Sequence, residues 1–271
     1  LWRSLKSAGA DVLPFLPHRE RDGYGLKYKS VITFLSEKNY PADIILTIDN
    51  GISAKKEIEK LRKDGFKIMV ADHHLKSSST PKLKYILHTT QTSAAGIAWV
   101  LGKALGVDPD VYIASLGLVA DCVPLVGGNR ALVHFACNTF SQVKNIGIKQ
   151  LAEKAGVDLK NIGTYEIGYL LAPRLNAAGR LEDPTDSLRL LCIDSSKQTN
   201  SLSEKINSIN TDRQELQSSS LLEAESQVDP KTFLLWSQSE TFHPGVIGLI
   251  SGKLTEKYYL PSISVSIFDG V

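Results

Sequence analysis

The chain has 271 residues, enough for one large domain or two ordinary ones. Its 42% hydrophobic and 22% charged residues are typical of a soluble globular protein, and a net charge of +2 excludes a polycation. A nucleic-acid partner would therefore need a local basic groove. Cys122, Cys137 and Cys192 are too widely spaced for a disulfide framework or a CxxC zinc site, and free thiols fit a reducing cytoplasm. No apolar run approaches the length of a membrane span, and no signal peptide is visible.

The chain begins with Leu1, and residues 1–8 resemble the second half of a helix that Gly9 ends. We therefore expect the true beginning of the protein to be missing. The chain also ends abruptly, one residue after Asp269 and Gly270.

The central part of the chain reads as short α/β units. Residues 43–48 and 67–71 are nearly continuous apolar runs, typical of parallel strands covered on both faces. A helix between them, capped by Ser53, gives the length of a right-handed crossover. Further predicted strands cover 11–16, 85–87, 232–236 and 261–268. Further predicted helices cover 29–38, 93–105, 110–120, 129–141, 148–155, 165–171, 184–191 and 243–258.

Residues 197–228 differ in character, being polar and rich in serine. Their apolar residues are four, three and seven positions apart, which places them on one stripe and predicts a long solvated helix joining two domains. We therefore predict an α/β protein. A mostly parallel sheet flanked by helices occupies residues 1–192, the connecting helix 193–229, and the first part of a second, smaller α/β domain 230–271.

Acidic and imidazole side chains follow two neighbouring strands. Asp49 follows the first strand, and Asp72, His73 and His74 follow the second. In an open parallel sheet, ligands bind outside the carboxyl ends of the strands, so both groups face one edge. Asp121 ends a helix that could pack beside them. Carboxylates mixed with imidazole suit Mn²⁺, with Mg²⁺ a weaker option and zinc also open.

Each of these residues also has a simpler interpretation. Asp49 could cap the helix that follows it, and Asp121 alone would be an acid at a helix end. Either histidine alone would be unremarkable. Their common placement at element ends on one side favours a metal or phosphate site, where a metal pair could activate water and clamp phosphate oxygens.

Residues 172–180 are predicted to form a loop with arginines among small residues. The planar guanidinium groups of Arg174 and Arg180 are well matched to phosphate oxygens, and Asn176 could add a neutral donor.

Residues 18–26 are predicted to form a charged loop with two glycines. From spacing alone we favour a solvated connection, because most exposed charge is simply solvated. The alternative is a loop that places Arg19 and Tyr24 over a ligand.

The ordered set of motifs resembles a known family. Asp-Asn-Gly at 49–51, Asp-His-His at 72–74 and Asp121 within 119–125 look like successive signatures of the Asp-His-His (DHH) phosphoesterases. Pro-Arg-Leu-Asn-Ala-Ala-Gly-Arg at 173–180, together with the motifs at 17–19 and 23–26, resembles more specifically the RecJ family of bacterial single-strand-specific 5′→3′ DNA exonucleases. Residues 207–217 resemble that family's connecting helix, and 243–248 the opening of its DHH-associated C-terminal domain.

The resemblance implies a role for each metal-site residue. Asp49 would bridge two Mn²⁺ or Mg²⁺ ions, and His73 and Asp121 would complete the ligands of one ion. Asp72 would orient a neighbour, and His74 would approach the scissile phosphate.

The resemblance also implies a substrate and a setting. The residues that would hold phosphates of single-stranded DNA are Arg174, Asn176, Arg180, Arg19 and Tyr24. The implied activity is metal-dependent hydrolysis of that strand to 5′ mononucleotides, in DNA repair and recombination in the cytoplasm. A helicase or a single-strand-binding protein would be the candidate partners, with no membrane involved.

The chain departs from the family pattern in one motif. The Asp-x-Asp-Gly turn that follows the family's first strand has no counterpart here, and we expect it to lie before Leu1. The glycine-rich phosphate motif of the C-terminal domain and the oligonucleotide-binding fold are also absent. The resemblance therefore implies that residues 1–271 alone bind metal poorly and are inactive.

Two other functions remain open. One is a different DHH phosphoesterase that acts on short oligonucleotides, cyclic dinucleotides or pyrophosphate. The other is a degenerate, non-catalytic DHH module that only binds its ligand.

Overall fold

A computed structural model of the chain describes residues 1–268, which form two parallel β-sheets flanked by helices. The strands are β1 (Ile44–Ile48), β2 (Lys67–Asp72), β3 (Ile86–His88), β4 (Leu235–Ser239) and β5 (Ser262–Ser266). The helices are α1 (Trp2–Ser7), α2 (Arg19–Asp22), α3 (Tyr28–Glu37), α4 (Lys55–Lys63), α5 (Ala94–Ala104), α6 (Val111–Ala120), α7 (Gly127–Thr139), α8 (Ile146–Ala155), α9 (Ala172–Leu181), α10 (Thr185–Cys192), α11 (Ser196–Gln227) and α12 (Ile247–Tyr258). A 3₁₀ turn (Phe140–Gln142) follows α7, and a π-helix (Glu166–Leu171) leads into α9.

The first sheet has the order β1-β2-β3, with both pairs parallel. Register pairs Ile48 with Ala71 and Asp72 with His88, so all three strands end at the same edge. The crossover from β1 to β2 runs through α4, whose Ile58 and Leu61 are fully buried. Each such side chain contributes about 1.5–3 kcal/mol by burial. The predicted parallel α/β architecture is confirmed.

The apolar core consists of three clusters of side chains. One cluster lies between the first sheet and α3 and α4, and a second lies among the helices from α6 to α11. The third lies between the end of α11, β4 and α12, around Phe242 and Ile250. Helix α11 has 32 residues and reaches from the second cluster, through Ile206, to the third, through Ala224. The predicted helix is present, but it is packed against both clusters rather than merely solvated.

Two segments differ in conformation from the sequence-based prediction. Residues 11–16 are not a strand; Pro14 and Pro17 lack ladder donors, and Phe15 instead stacks on Phe34 at 4.6 Å between ring centroids. Residues 172–181 form helix α9 rather than a loop. Pro173 is tolerated at the first turn of a helix, and Ala177 and Ala178 are fully buried.

Further local differences concern helix α2, the cap of α4 and the start of β4. Part of the predicted charged loop forms the single-turn helix α2, where Asp22 accepts a hydrogen bond from the His18 N–H at 2.8 Å. Helix α4 begins after Ala54 with no side-chain cap, so the capping role predicted for Ser53 is wrong. Strand β4 begins at Leu235, three residues later than predicted, because Leu235 is the first residue of this segment whose side chain is buried.

Within residues 1–268, no helix is both long enough and apolar enough to cross a lipid bilayer.

Gly147, the second residue of α8, meets the backbone of α10. A Cβ at this position would lie 1.9 Å from the Leu190 carbonyl oxygen. Since backbone cannot move aside cheaply, we expect Gly147→Ala to lower the free energy of unfolding by about 1–3 kcal/mol in urea titrations. Gly128, the second residue of α7, has nothing within 4 Å of its Cβ position. Gly128→Ala is therefore the matched control, and equal urea midpoints for the two variants would contradict this packing.

Candidate metal and phosphate site

Three side chains meet at the carboxyl edge of the first sheet. His73 Nε2 lies 3.1 Å from Asp49 Oδ1 and 3.4 Å from Asp121 Oδ2. One ligand atom each from Asp49, His73 and His74 also lie within 4.8 Å of one another. The proximity predicted from strand order is confirmed, and α6 brings Asp121 to the same point.

Asp72 is the buried anchor of this edge. Its carboxylate is 1% exposed and accepts hydrogen bonds from three backbone N–H groups: Ile52 at 2.9 Å, His73 at 2.7 Å and His74 at 3.2 Å. A fourth comes from His74 Nδ1–H at 2.7 Å. Burial acts to raise the pKa of Asp72, but these hydrogen bonds outweigh it and hold the pKa below its usual value. The carboxylate is therefore ionised and holds the His74 ring through Nδ1, which leaves Nε2 on the side of the ring turned away from Asp72.

The backbone of the turn after β1 places the Ile52 N–H beside the Asp72 carboxylate. Gly51 has φ +106°, and a Cβ there would lie 2.5 Å from Thr47 Oγ1. The turn directs the next N–H, that of Ile52, at Asp72. Asp49 itself has φ +66°, a left-handed conformation that costs other residues more than it costs aspartate or asparagine. The surrounding turn therefore has to maintain a strained backbone at Asp49, which lies at the edge of the sheet.

Partial burial and the close approach of carboxylates and imidazoles shift the pKa values of Asp49 and His74. Partial burial raises the pKa of Asp49; His73 acts against this shift and the Asp121 carboxylate adds to it. The hydrogen bond to Asp72 raises the pKa of His74. Carboxylates that repel one another around an imidazole form an environment that a cation would stabilise.

The donor set fits a divalent metal. An octahedral ion with ligands near 2.1 Å separates adjacent ligand atoms by about 3 Å, which is close to the two His73 distances. Two carboxylate oxygens and one imidazole nitrogen suit Mn²⁺ better than Mg²⁺, which prefers oxygen alone. Asp49, His73 and Asp121 are the residues that could hold one such ion.

A basic cavity of about 490 Å³ lies between the two α/β parts of the chain. Its lining residues are Arg19, Arg180, His243, Pro244, Gly245 and Phe268. Arg180 Nη1 donates to the Gly245 carbonyl at 3.2 Å. Burial lowers the pKa of Arg180, and the positive charges of Arg19 and Arg213 act in the same direction. Such mutual repulsion favours an anion in the cavity.

Helix α9 separates the three residues predicted to share one phosphate-binding loop. Asn176 is exposed, and Arg180 lies one turn further along the same side of the helix, in the basic cavity. Arg174 points elsewhere: its Nε donates to Asn207 Oδ1 at 2.9 Å and its Nη1 to the Leu170 carbonyl at 2.6 Å. The structure therefore brings Arg180 together with Arg19, while Arg174 is engaged with α11 and the π-helix.

Tyr24, predicted to lie over a ligand with Arg19, is 82% exposed. The Arg19 guanidinium lies 5.7 Å from the centre of the Tyr24 ring, in cation–π geometry. Arg19 is the first residue of α2, and Tyr24 directly follows Gly23, where that helical turn ends.

Arg213 of α11 was missed by the sequence analysis. Burial lowers its pKa, and the positive charge of Arg174 acts in the same direction. Its own charge in turn acts on Arg180. Its guanidinium is anchored by Asn210 at 2.7 Å and Gln217 at 2.9 Å. No local pattern in the sequence marks this residue.

His88 was also missed. It ends β3, and its Nε2–H donates to the His74 carbonyl at 2.7 Å. The strand-end rule that found Asp49 could have found His88, because β3 ends at the same edge of the sheet.

Comparison with known proteins identifies the family. The sequence profile described as "DHH family, N-terminal domain" matches residues 1–123. The single-stranded-DNA-specific exonuclease RecJ of Thermus thermophilus is 32% identical over 98% of this chain, and its Bacillus subtilis counterpart is 29% identical over 97%. A crystal structure of exonuclease RecJ bound to manganese superposes with a TM-score of 0.84 at 31% identity, covering 97% of this chain and 70% of that one. The Thermus thermophilus structure with Mn²⁺ superposes with a TM-score of 0.82 at 29% identity, covering 97% of this chain and 40% of that one.

The parallel sheet with an Asp-His-His edge, followed by a long connecting helix, defines a DHH-type α/β fold. The chain belongs to the DHH family, and its relatives in that family are RecJ exonucleases. It spans 41% of the length of the Thermus thermophilus relative and 35% of the Bacillus subtilis one.

The Asp72–His74 pair predicts a specific pH response of the metal-free chain. Folding raises the pKa of His74 above 6.5. The stabilisation that protonated His74 provides is therefore complete below pH 6.5, and it declines as the pH rises through the pKa of the folded state. The Asp72 pKa is lowered, so its contribution is lost as pH falls through the folded value. We expect an NMR titration of the His74 ring to give a midpoint above 6.5, and Asp72→Asn to lower it. An unchanged midpoint in a folded Asp72→Asn variant would show that the pair does not interact.

Proposed function

We propose that this chain is the catalytic part of a metal-dependent, 5′→3′ single-strand-specific DNA exonuclease that acts in DNA repair and recombination. The observation that carries the proposal is the meeting of Asp49, His73 and Asp121 around one point, at 3.1 and 3.4 Å. The relatives support it, since they are described as single-stranded-DNA-specific exonucleases and structures of them contain Mn²⁺ or Mg²⁺.

The proposed chemistry is hydrolysis of the terminal phosphodiester bond. A bound Mn²⁺ or Mg²⁺ supplies charge neutralisation and acidifies water at near-neutral pH. Asp49, His73 and Asp121 would hold and orient such an ion, and Asp49 would also contribute to the binding of a second ion. His74, held by Asp72 through Nδ1, presents Nε2 to the scissile phosphate.

Arg19 and Arg180 are proposed to hold a phosphate of the strand in the basic cavity, with Tyr24 and Asn176 at its exposed margin. Arg174 is proposed to act from α9 through its contacts with the π-helix and α11. Arg180 is partly buried, so water competes less for its remaining N–H donors, and these can bind phosphate oxygens.

The proposed division of the chain follows the packing. Residues 1–192 would be the phosphoesterase domain, 193–229 the connecting helix, and 230–271 the first part of the DHH-associated domain. The third apolar cluster, which includes Leu235 and Ile250 but no residue of the first sheet, supports a separate second domain. Residues 269–271 lie outside the described residues.

The substrate class can be tested directly. In a protein as long as the relatives, we expect Mn²⁺-dependent release of mononucleotides from a 5′-phosphorylated single strand to exceed hydrolysis of a dinucleotide. A clear preference for the dinucleotide would favour a small-substrate DHH phosphoesterase instead. Metal binding without hydrolysis of either would favour a non-catalytic module. The cellular setting would be tested by pull-down of a helicase or a single-strand-binding protein.

Asp49 offers the sharpest test of the metal site. Among residues 1–268 the cluster supplies ligands for one ion, so we expect the 271-residue chain to bind one Mn²⁺ weakly. Asp49→Asn keeps a side chain that tolerates positive φ, and we expect it to weaken Mn²⁺ binding by more than about 100-fold in EPR titrations. Its stability should change by less than about 0.5 kcal/mol. Asp43, exposed just before β1 at its other end, provides the control Asp43→Asn, which should bind as wild type does.

Arg180 tests the phosphate cavity. We expect Arg180→Ala to weaken binding of single-stranded DNA and to reduce the slope of log K against log salt by about 0.7, because one phosphate contact no longer releases its counterion. Arg62, exposed on α4, serves as the control, and Arg62→Ala should leave affinity and slope unchanged. Equal salt slopes for wild type and Arg180→Ala, measured by fluorescence anisotropy, would remove Arg180 from the binding site.

A further inference from the structure

The loop that carries Asp121 has little packing to hold it. Asp121 ends α6, and the next residue, Cys122, has φ +53°. Cys122, Pro124 and Val126 are all exposed. An exposed loop of this kind is normally mobile, yet Asp121 has to stay within reach of His73 if both are to hold one ion.

Asn129 ties this loop to the sheet. It lies in the first turn of α7 with only 7% of its surface exposed. Its Nδ2 carries two hydrogens, and it donates to the Pro124 carbonyl at 3.0 Å and to the Gln91 carbonyl at 2.8 Å. Pro124 belongs to the Asp121 loop, and Gln91 belongs to the loop that follows β3.

The hydrogen bond to the Gln91 carbonyl connects Asn129 to the metal cluster through the loop after β3. The β3 loop begins immediately after His88, whose Nε2–H donates to the His74 carbonyl at 2.7 Å. One side chain on α7 therefore bridges the loop of Asp121 and the strand end that is bonded to the Asp-His-His turn. One of these parts follows helix α6 and the other follows strand β3. Asn129 is a direct side-chain link between the two loops.

We propose that Asn129 is a positioning residue of the metal site, which fixes the Asp121 carboxylate relative to His73. The inference rests on the proposed function, because it assigns Asn129 to the same metal site. Residues that orient metal ligands without touching the metal typically change affinity about 10- to 100-fold when they are replaced. Asn129 fits this description, since its amide donates to backbone carbonyls next to the ligand-bearing segments.

Asn145 is a matched control within the same chain. It is also buried, with 6% exposure, and it also stands at the start of a helix. Its Nδ2 donates to the Leu191 carbonyl at 2.9 Å, and its Oδ1 accepts from the Ile148 N–H at 3.1 Å. Both acceptor and donor belong to the helical core rather than to the metal cluster. Replacing it removes a buried amide without disturbing the loop of Asp121.

The experiment compares Asn129→Ala with Asn145→Ala in the 271-residue chain, by EPR titration with Mn²⁺ and by thermal unfolding of the metal-free forms. We expect both variants to lower the Tm. Only Asn129→Ala should raise the Kd for Mn²⁺, by about 10- to 100-fold. Asn129→Asp, which keeps the shape but donates no hydrogen bond, should reproduce the loss if the alanine variant does not fold.

Hydrogen exchange supplies a readout that needs no metal. In the metal-free chain, the backbone amides of residues 121–123, 125 and 126 should exchange faster in Asn129→Ala than in wild type, and at the wild-type rate in Asn145→Ala. Unchanged Mn²⁺ affinity in both Asn129 variants would overturn the inference and leave the metal site standing. An equal loss of affinity in Asn145→Ala would overturn it as well, by showing a general effect of destabilisation. If wild type binds no Mn²⁺, the proposed metal site itself fails and the inference fails with it.

Discussion

The buried carboxylate of Asp72 is the interaction on which the site depends. It joins the turn after β1, through the Ile52 N–H, to the end of β2 and to the His74 ring. A buried charge of this kind is tolerated only when hydrogen bonds replace its lost hydration, and here four of them do so. Because the donors come from two strand ends, the same bonds that satisfy the charge also fix Asp49 and His73 relative to each other.

Around this anchor, the fold assembles the rest of the site from elements far apart in the chain. Helix α6 delivers Asp121, and helix α9 delivers Arg180 to the cavity shared with His243 and Gly245. Gly245 is required there, since a Cβ would lie 2.1 Å from the Arg180 carbonyl oxygen. Close backbone contact between the two α/β parts thus shapes the basic cavity. The long helix α11 contributes to both parts and carries Arg213 beside the other guanidinium groups.

Most of the architecture could be predicted from local pattern. Apolar runs marked β1 and β2, and an apolar stripe marked α11, because each periodicity reflects a buried face. Errors came where tertiary packing outweighed local signals. Residues 172–181 contain Pro, Gly and Asn, which favour loops, but burial of Ala177 and Ala178 makes them a helix. The segment at 11–16 looked like a strand, yet it packs through Phe15 without joining the sheet.

By itself, the sequence determined the order of most strands and helices and, through the strand ends, the edge at which Asp49, Asp72, His73 and His74 collect. Side chains at the carboxyl ends of adjacent parallel strands must be neighbours, so no further knowledge was needed. Only the tertiary structure decided which arginines share a cavity, that Arg174 faces α11, and that Asn129 links the loop of Asp121 to the sheet. Those outcomes depend on contacts between residues at least 33 positions apart, and no local spacing encodes such contacts.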